Sequence, residues 1–97
     1  MAYEIILAPE AIEDLERLRA ADRSGVTSAI ETHLRHAPRK ESRSRIKRLR
    51  GLRQPEYRLR VADIRVYYDV VEPEVYILAV VAKHLTDEWL EHHAIPL

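Results

Sequence analysis

A chain of 97 residues, 46% hydrophobic and 33% charged, is sized for a single small domain over residues 1–97, with little room for a second core. It has no Cys, which excludes disulfides and thiolate metal sites, and its longest apolar run, Val75 to Ala82, is far below membrane-spanning length. The net charge of zero conceals a division: residues 1–38 hold four Arg against seven acids, 39–65 hold eleven Lys/Arg against three acids, and 66–97 hold one Lys against six acids.

Tyr3 to Leu7 reads as a first strand; the opening Met-Ala-Tyr-Glu-Ile-Ile-Leu is too short and too acidic for a secretory signal, so cytoplasmic residence is expected. Pro9 fits the first turn of a helix, where its missing N–H costs nothing. Glu10, Glu13 and Asp14 favour that helix's dipole, and Ala11, Ile12, Leu15 and Leu18 form its apolar stripe, which fades near Ala21. Asp22 or Ser24 is placed to cap a second helix. Val26, Ala29, Ile30, His33, Leu34 and Ala37 follow at helical spacing, and Pro38 ends the pattern. The pair makes an αα-hairpin, with His33 a structural residue of its stripe.

Pro38 to Ser44 reads as a polar loop. Ile46 to Leu52 reads as a short strand ending at a Gly51 turn. Apolar and basic residues then alternate through Tyr57–Val61 and again through Ile64–Tyr68, the pattern of two half-buried strands. Pairing Val61 with Ile64 sets Arg60 opposite Arg65 and Arg58 opposite Tyr67, with Leu59, Val61, Ile64 and Val66 on the buried face. Ala62-Asp63 is an unfavoured two-residue turn, but any even-length loop keeps this parity, and burial opposes an odd slip. The turn at Val70 to Glu74 leads to Val75–Ala82, a β-branched run expected to be a central strand buried on both faces. If Val70 pairs with Val75, position 84 falls on the Arg65 face; a one-residue slip delivers Lys83 there instead. Asp87 to His92 reads as a short helix capped by Thr86. The fold class is α+β in the order β-α-α-β-β-β-α: a small, mainly antiparallel sheet, a helical hairpin on one face and a short C-terminal helix.

Arg58, Arg60 and Arg65 thus converge on a water-facing side, where like charge costs stability and an anionic partner would offset it. The geometry suits a phosphate backbone; were that backbone RNA, cleavage by its own 2′-hydroxyl would need a base, cations on the phosphorane and an acid. Arginine's bidentate fork suits the phosphorane, and His84 suits proton transfer in a direction that stays open. Tyr67 is placed either to stack on a base or to be a plain strand aromatic, while Trp89 reads as an anchor for the last helix.

The ordered set Tyr3-Glu4-Ile5 with Pro9 and Ala11, Lys47-Arg48-Leu49-Arg50-Gly51, Tyr57-Arg58-Leu59-Arg60, Arg65-Val66-Tyr67-Tyr68 and a strand ending in Lys83-His84 resembles the RelE/ParE superfamily of type II toxin–antitoxin toxins, from Tyr3 to about Leu90. The RelE-like branch implies a metal-independent, ribosome-dependent mRNA endoribonuclease. Arg58 and Arg60 would take its two basic strand positions, Arg65 its phosphate-contacting arginine, and Lys83-His84 the place of an arginine or histidine. The catalytic set is then Arg58, Arg60, Arg65 and His84, with Lys47, Arg48, Arg50, Arg53, Tyr67 and Lys83 binding RNA or ribosome and no metal or other cofactor. Some relatives carry a catalytic tyrosine where this chain has Trp89 and Leu90, so that acid–base scheme does not transfer intact. The resemblance also implies an antitoxin partner, for which Glu13, Arg17 and Arg19 are candidate docking residues, and no membrane partner. The alternatives it leaves are a ParE-like inhibitor of DNA gyrase without nuclease activity, or a degenerate member that only binds its antitoxin.

Overall fold

The computed structural model describes residues 2–97. Strand β1 (Glu4–Leu7) leads into α1 (Pro9–Arg17) and α2 (Ala20–Ala29), and a π-helical turn (Ile30–Leu34) continues α2. Then come β2 (Ile46–Arg48), β3 (Leu52–Gln54), β4 (Tyr57–Val61), β5 (Ile64–Val71) and β6 (Glu74–Ala82). A 3-10 turn (Lys83–Leu85), α3 (Thr86–His93) and the two-residue β7 (Ile95–Pro96) close the chain. The main sheet has the order β1-β6-β5-β4-β2, parallel between β1 and β6 and otherwise antiparallel; β3 and β7 form a separate ribbon. The expected α+β order stands, with the ribbon added.

Pro9 opens α1 after the extended Ala8, as the sequence requires. The helix stops earlier than its apolar stripe, at Arg17, because Leu18 turns extended. The guanidinium of Arg23 donates to the carbonyls of Leu15 (2.9 Å), Glu16 (3.2 Å) and Leu18 (2.8 Å), serving the orphan acceptors at that end. Arg19, not Asp22 or Ser24, is the N-cap of α2, and no side chain caps it. His33 is half-buried within the π-helical turn. Leu85 precedes α3, and the Thr86 hydroxyl donates instead to the Lys83 carbonyl at 3.0 Å, so the expected cap is absent.

One face of the sheet packs on the helical hairpin. Ala11, Val26, Ile30 and Leu34 meet Ile46, Leu59, Val66, Tyr68, Val75 and Ile77 in a continuous core. Tyr57 stacks on Tyr68 with centroids 5.5 Å apart, and the Tyr68 hydroxyl donates to the Pro38 carbonyl at 2.6 Å. Burial raises the pKa of that hydroxyl well above the ordinary tyrosine value.

Strand β6 is central, between β1 and β5, but Tyr76 and Leu78 are only half-buried. Its pairing with β5 slips by one residue: Tyr68 faces Ile77, whereas Tyr67 faces Ala79. The slip is a β-bulge at Leu78, and the Asp14 carboxylate accepts the Val80 N–H at 2.9 Å. Val70 does pair with Val75, but Arg65 faces Val81, one position past the Val80 that unbroken pairing would give.

Candidate nucleic-acid interface

The β4–β5 hairpin is the one the sequence describes. Val61 pairs with Ile64, Arg60 with Arg65, Leu59 with Val66 and Arg58 with Tyr67. The Ala62-Asp63 turn is tight, and Ala62 adopts φ 51°, in the left-handed region where a Cβ is unfavourable. The Arg65 guanidinium folds back on this turn, its Nη1 donating to the carbonyls of Ala62 (3.0 Å) and Ile64 (3.1 Å).

Strand β2 extends the same face. Lys47 pairs with Arg58, and the Arg60 N–H donates to the Arg45 carbonyl at 2.8 Å, prolonging the ladder by a rung. Two rows of side chains result: Lys47, Arg58, Tyr67 and Ala79 in one, Arg45, Arg60, Arg65 and Val81 in the next. Sequence reasoning missed Arg45, whose signal is its period-two spacing from Lys47 just outside the strand.

Ion pairs among the described residues join Arg17 to Glu13 and Asp14, Arg19 to Asp22, Arg35 to Glu31 and Arg39 to Glu72. Of the eleven Lys/Arg between 39 and 65, Arg39 alone has a carboxylate partner. Among the described residues, no carboxylate is ion-paired with Arg45, Lys47, Arg58, Arg60 or Arg65.

The basic face is not an open arginine surface. Arg60, Arg45 and Lys47 are exposed and Arg58 is half-buried, but Arg65 is only 7% exposed. The expectation of a water-facing Arg65 is corrected here. Burial lowers its pKa from the ordinary arginine value, and the neighbouring charges of Arg58 and Arg60 lower it further. The Nε of Arg58 is buried without a hydrogen-bond partner.

The cover is α3. Tyr67, Ala79 and Val81 are buried beneath half-buried Trp89 and Leu90, with Leu49 alongside. The Trp89 indole lies flat on the Tyr67 ring at 4.8 Å, with an interplanar angle of 6°. Tyr67 is consequently 2% exposed, and while α3 is docked its ring has no room for a base. Burial raises the pKa of its hydroxyl.

The bulge decides which ionisable residue ends β6 near the arginines. It puts Lys83 in the parity of Val81 and Arg65, the outcome of the one-residue slip, so His84 is off that parity. The backbone stops being a strand at Ala82, and the Lys83 N–H donates to the Asp63 carbonyl at 2.7 Å. The Lys83-His84 pair is thus tied to the hairpin turn beside Arg65, both side chains exposed. The remaining basic residues separate. Arg48 pairs with Tyr57 and places its guanidinium 5.2 Å from the centroid of that ring, toward the helical-hairpin face. Arg50 and Arg53 are exposed on the turn and ribbon that follow. No group of acids, histidines and cysteines among the described residues could hold a metal ion, and no helix is long and apolar enough to cross a membrane.

Comparison with known proteins agrees with this architecture. The chain is similar in structure to the RelE–RelB complex of Pyrococcus horikoshii OT3, at 22% identity over 86% of this chain and 97% of that one, with a TM-score of 0.70. It is similar also to a double arginine-to-alanine mutant of Escherichia coli toxin RelE in the free state, at 21% identity over 94% of each chain, with a TM-score of 0.71. The Mycobacterium tuberculosis toxin–antitoxin complex RelBE2 matches at 23% identity over 84% and 99% of the two chains, with a TM-score of 0.69. At such identities the likeness shows the fold. No curated protein matches the sequence. Residues 5–84 match the family described as the ParE toxin of the type II toxin–antitoxin system parDE. Residues across most of the chain thus carry the family pattern on the matching fold, and the protein belongs to the RelE/ParE superfamily of type II toxins.

Proposed function

We propose that this toxin is a metal-independent, ribosome-dependent mRNA endoribonuclease that inhibits translation and is held in check by a cognate antitoxin. The observation that carries the reading is the row of cations from β2, β4 and β5, none of which has a carboxylate partner. A protein that assembles Arg45, Lys47, Arg58, Arg60 and Arg65 on one face, none of them in an ion pair, accepts repulsion that a phosphate chain would relieve.

The roles follow from accessibility. Arg60 and Arg58 are the phosphate ligands, with Lys47 and Arg45 continuing the track along the RNA backbone. Arg65 supports the hairpin turn and adds positive potential behind them. The RNA 2′-oxygen attacks the adjacent phosphorus and the 5′-oxygen leaves, giving a 2′,3′-cyclic phosphate and a 5′-hydroxyl. Guanidinium groups stabilise the phosphorane charge, and His84, exposed beside the hairpin turn with Lys83, supplies or takes a proton. Arg48, Arg50 and Arg53 lie off this face and serve contact with the ribosome, whose RNA presents phosphates over a far wider area than one scissile bond.

One observation favours the other reading, gyrase inhibition without nuclease activity: Arg65 is committed to its own hairpin and is largely closed to a ligand. Induced expression separates the two. The nuclease reading expects translation to stop and mRNA with new 5′-hydroxyl ends to accumulate, while DNA stays intact. Arg58→Gln with Arg60→Gln should slow cleavage by at least about 100-fold and shift stability by no more than about 0.5 kcal/mol. DNA breakage with translation still running would replace this reading by the gyrase one.

A further inference from the structure

Helix α3 lies over the arginine face, yet none of its own residues is buried. Trp89 stacks with two rings, Tyr67 at 4.8 Å and the His93 imidazole at 4.9 Å, at interplanar angles of 6° and 17°. Beside this stack the Arg58 Nε is shut away from water without an acceptor, while the buried Arg65 donates to the Ala62 and Ile64 carbonyls of its own turn. Dehydrating the unpartnered Arg58 Nε is unfavourable, and α3, with no fully buried residue, sets against it the contacts of half-buried Trp89 and Leu90 alone. The docked position of α3 is therefore weakly held. It is anchored at one end by the Lys83 N–H on Asp63 and at the other by the short β7 pairing with β3, so the helix can lift between two fixed points.

We infer that α3 is a lid and that Trp89 occupies a nucleobase subsite: when the helix lifts, Tyr67 becomes the floor on which one base of a single-stranded RNA stacks, with Arg58 freed for the adjoining phosphate. This rests on the reading of the arginine face as RNA-binding. The chemistry matches at each point. The indole and a nucleobase are both flat aromatics that stack on a phenol ring. Arg58 is the direct cross-strand neighbour of Tyr67, so a base on that ring brings its phosphate toward the unpartnered guanidinium. RNA and the docked helix exclude one another, and the closed fraction lowers the apparent affinity.

The chain has one Trp, which makes its emission a direct reporter of the stack. The full-length protein is titrated at low ionic strength with a short, mixed-sequence single-stranded oligoribonucleotide, reading Trp89 fluorescence; affinity is measured separately by anisotropy of the labelled oligonucleotide. The expected result is a shift of Trp89 emission to longer wavelength as RNA saturates. Trp89→Ala should bind about three- to tenfold more tightly, and Tyr67→Leu added to it should abolish the gain. If circular dichroism shows Trp89→Ala unfolded, Trp89→Leu keeps the apolar contact, removes the stack and carries the same expectation. Saturation with Trp89 emission unmoved, or weaker binding by the folded variant, overturns the lid and leaves the RNA reading standing. No binding by either wild type or variant overturns both.

Discussion

The two faces of the sheet use the same strands for different ends. Under the helical hairpin, Leu59, Val66, Tyr68, Val75 and Ile77 are all at 0% exposure. Under α3, the buried apolar cluster shrinks to Tyr67, Ala79 and Val81, and Arg45, Lys47, Arg58, Arg60 and Arg65 share that face. Each full burial on the first face contributes about 1.5–3 kcal/mol, while like charges directly opposite on the second subtract from the fold. Stability is thus concentrated on one side of a single layer of strands. The other side carries the electrostatic cost and a helix with no fully buried residue, and it is there that we propose a site for a polyanion.

That contrast can be broken experimentally. Leu59→Ala, on the hairpin face, should lose about 2–5 kcal/mol in urea unfolding; a loss below about 1 kcal/mol would mean the hairpin face is not the stabilising one. Arg65→Ala should lose about 1–2 kcal/mol without unfolding the domain, because the Ala62 and Ile64 carbonyls lose their donor at a strained turn. An unchanged midpoint would return Arg65 to a purely ligand-binding role.

Acid should weaken the hairpin side slightly. The Arg35 guanidinium holds Glu31 below the usual glutamate range, and the Tyr3 hydroxyl, followed by Arg39, does the same for Glu72. A carboxyl whose pKa is lowered by folding contributes stability that is fully present above about pH 4.3 and is lost as pH falls through the folded value. Both groups are exposed, so the loss is small. Thermal melts from neutral pH to pH 3 should be shallower for Glu72→Gln, and a steeper acid loss in that variant would reverse the assignment.

Much of the candidate site's geometry was legible because its residues alternate. With side chains of period two, the register of Tyr57–Val61 on Ile64–Tyr68 followed once Leu59 and Val66 had to share a core. The second hairpin was not legible to the same depth. Its bulge at Leu78 leaves no local signature, and one extra residue moved Arg65 from Val80 to Val81 and the ionisable position from His84 to Lys83. The start of α2 was misplaced for a similar reason: Arg23 serves the end of α1 through contacts five to eight residues away, which no short-range cap rule contains.

The amino-acid pattern alone determined the order of elements, the face on which the arginines gather and the family to which the toxin belongs, since alternation and local turn chemistry are encoded within a few residues. Tertiary structure decided how far each arginine can be reached. Whether a side chain of this face meets water, its own hairpin or the underside of a tryptophan, as Arg60, Arg65 and Tyr67 do in turn, is set by packing across the whole sheet and not by its neighbours in sequence.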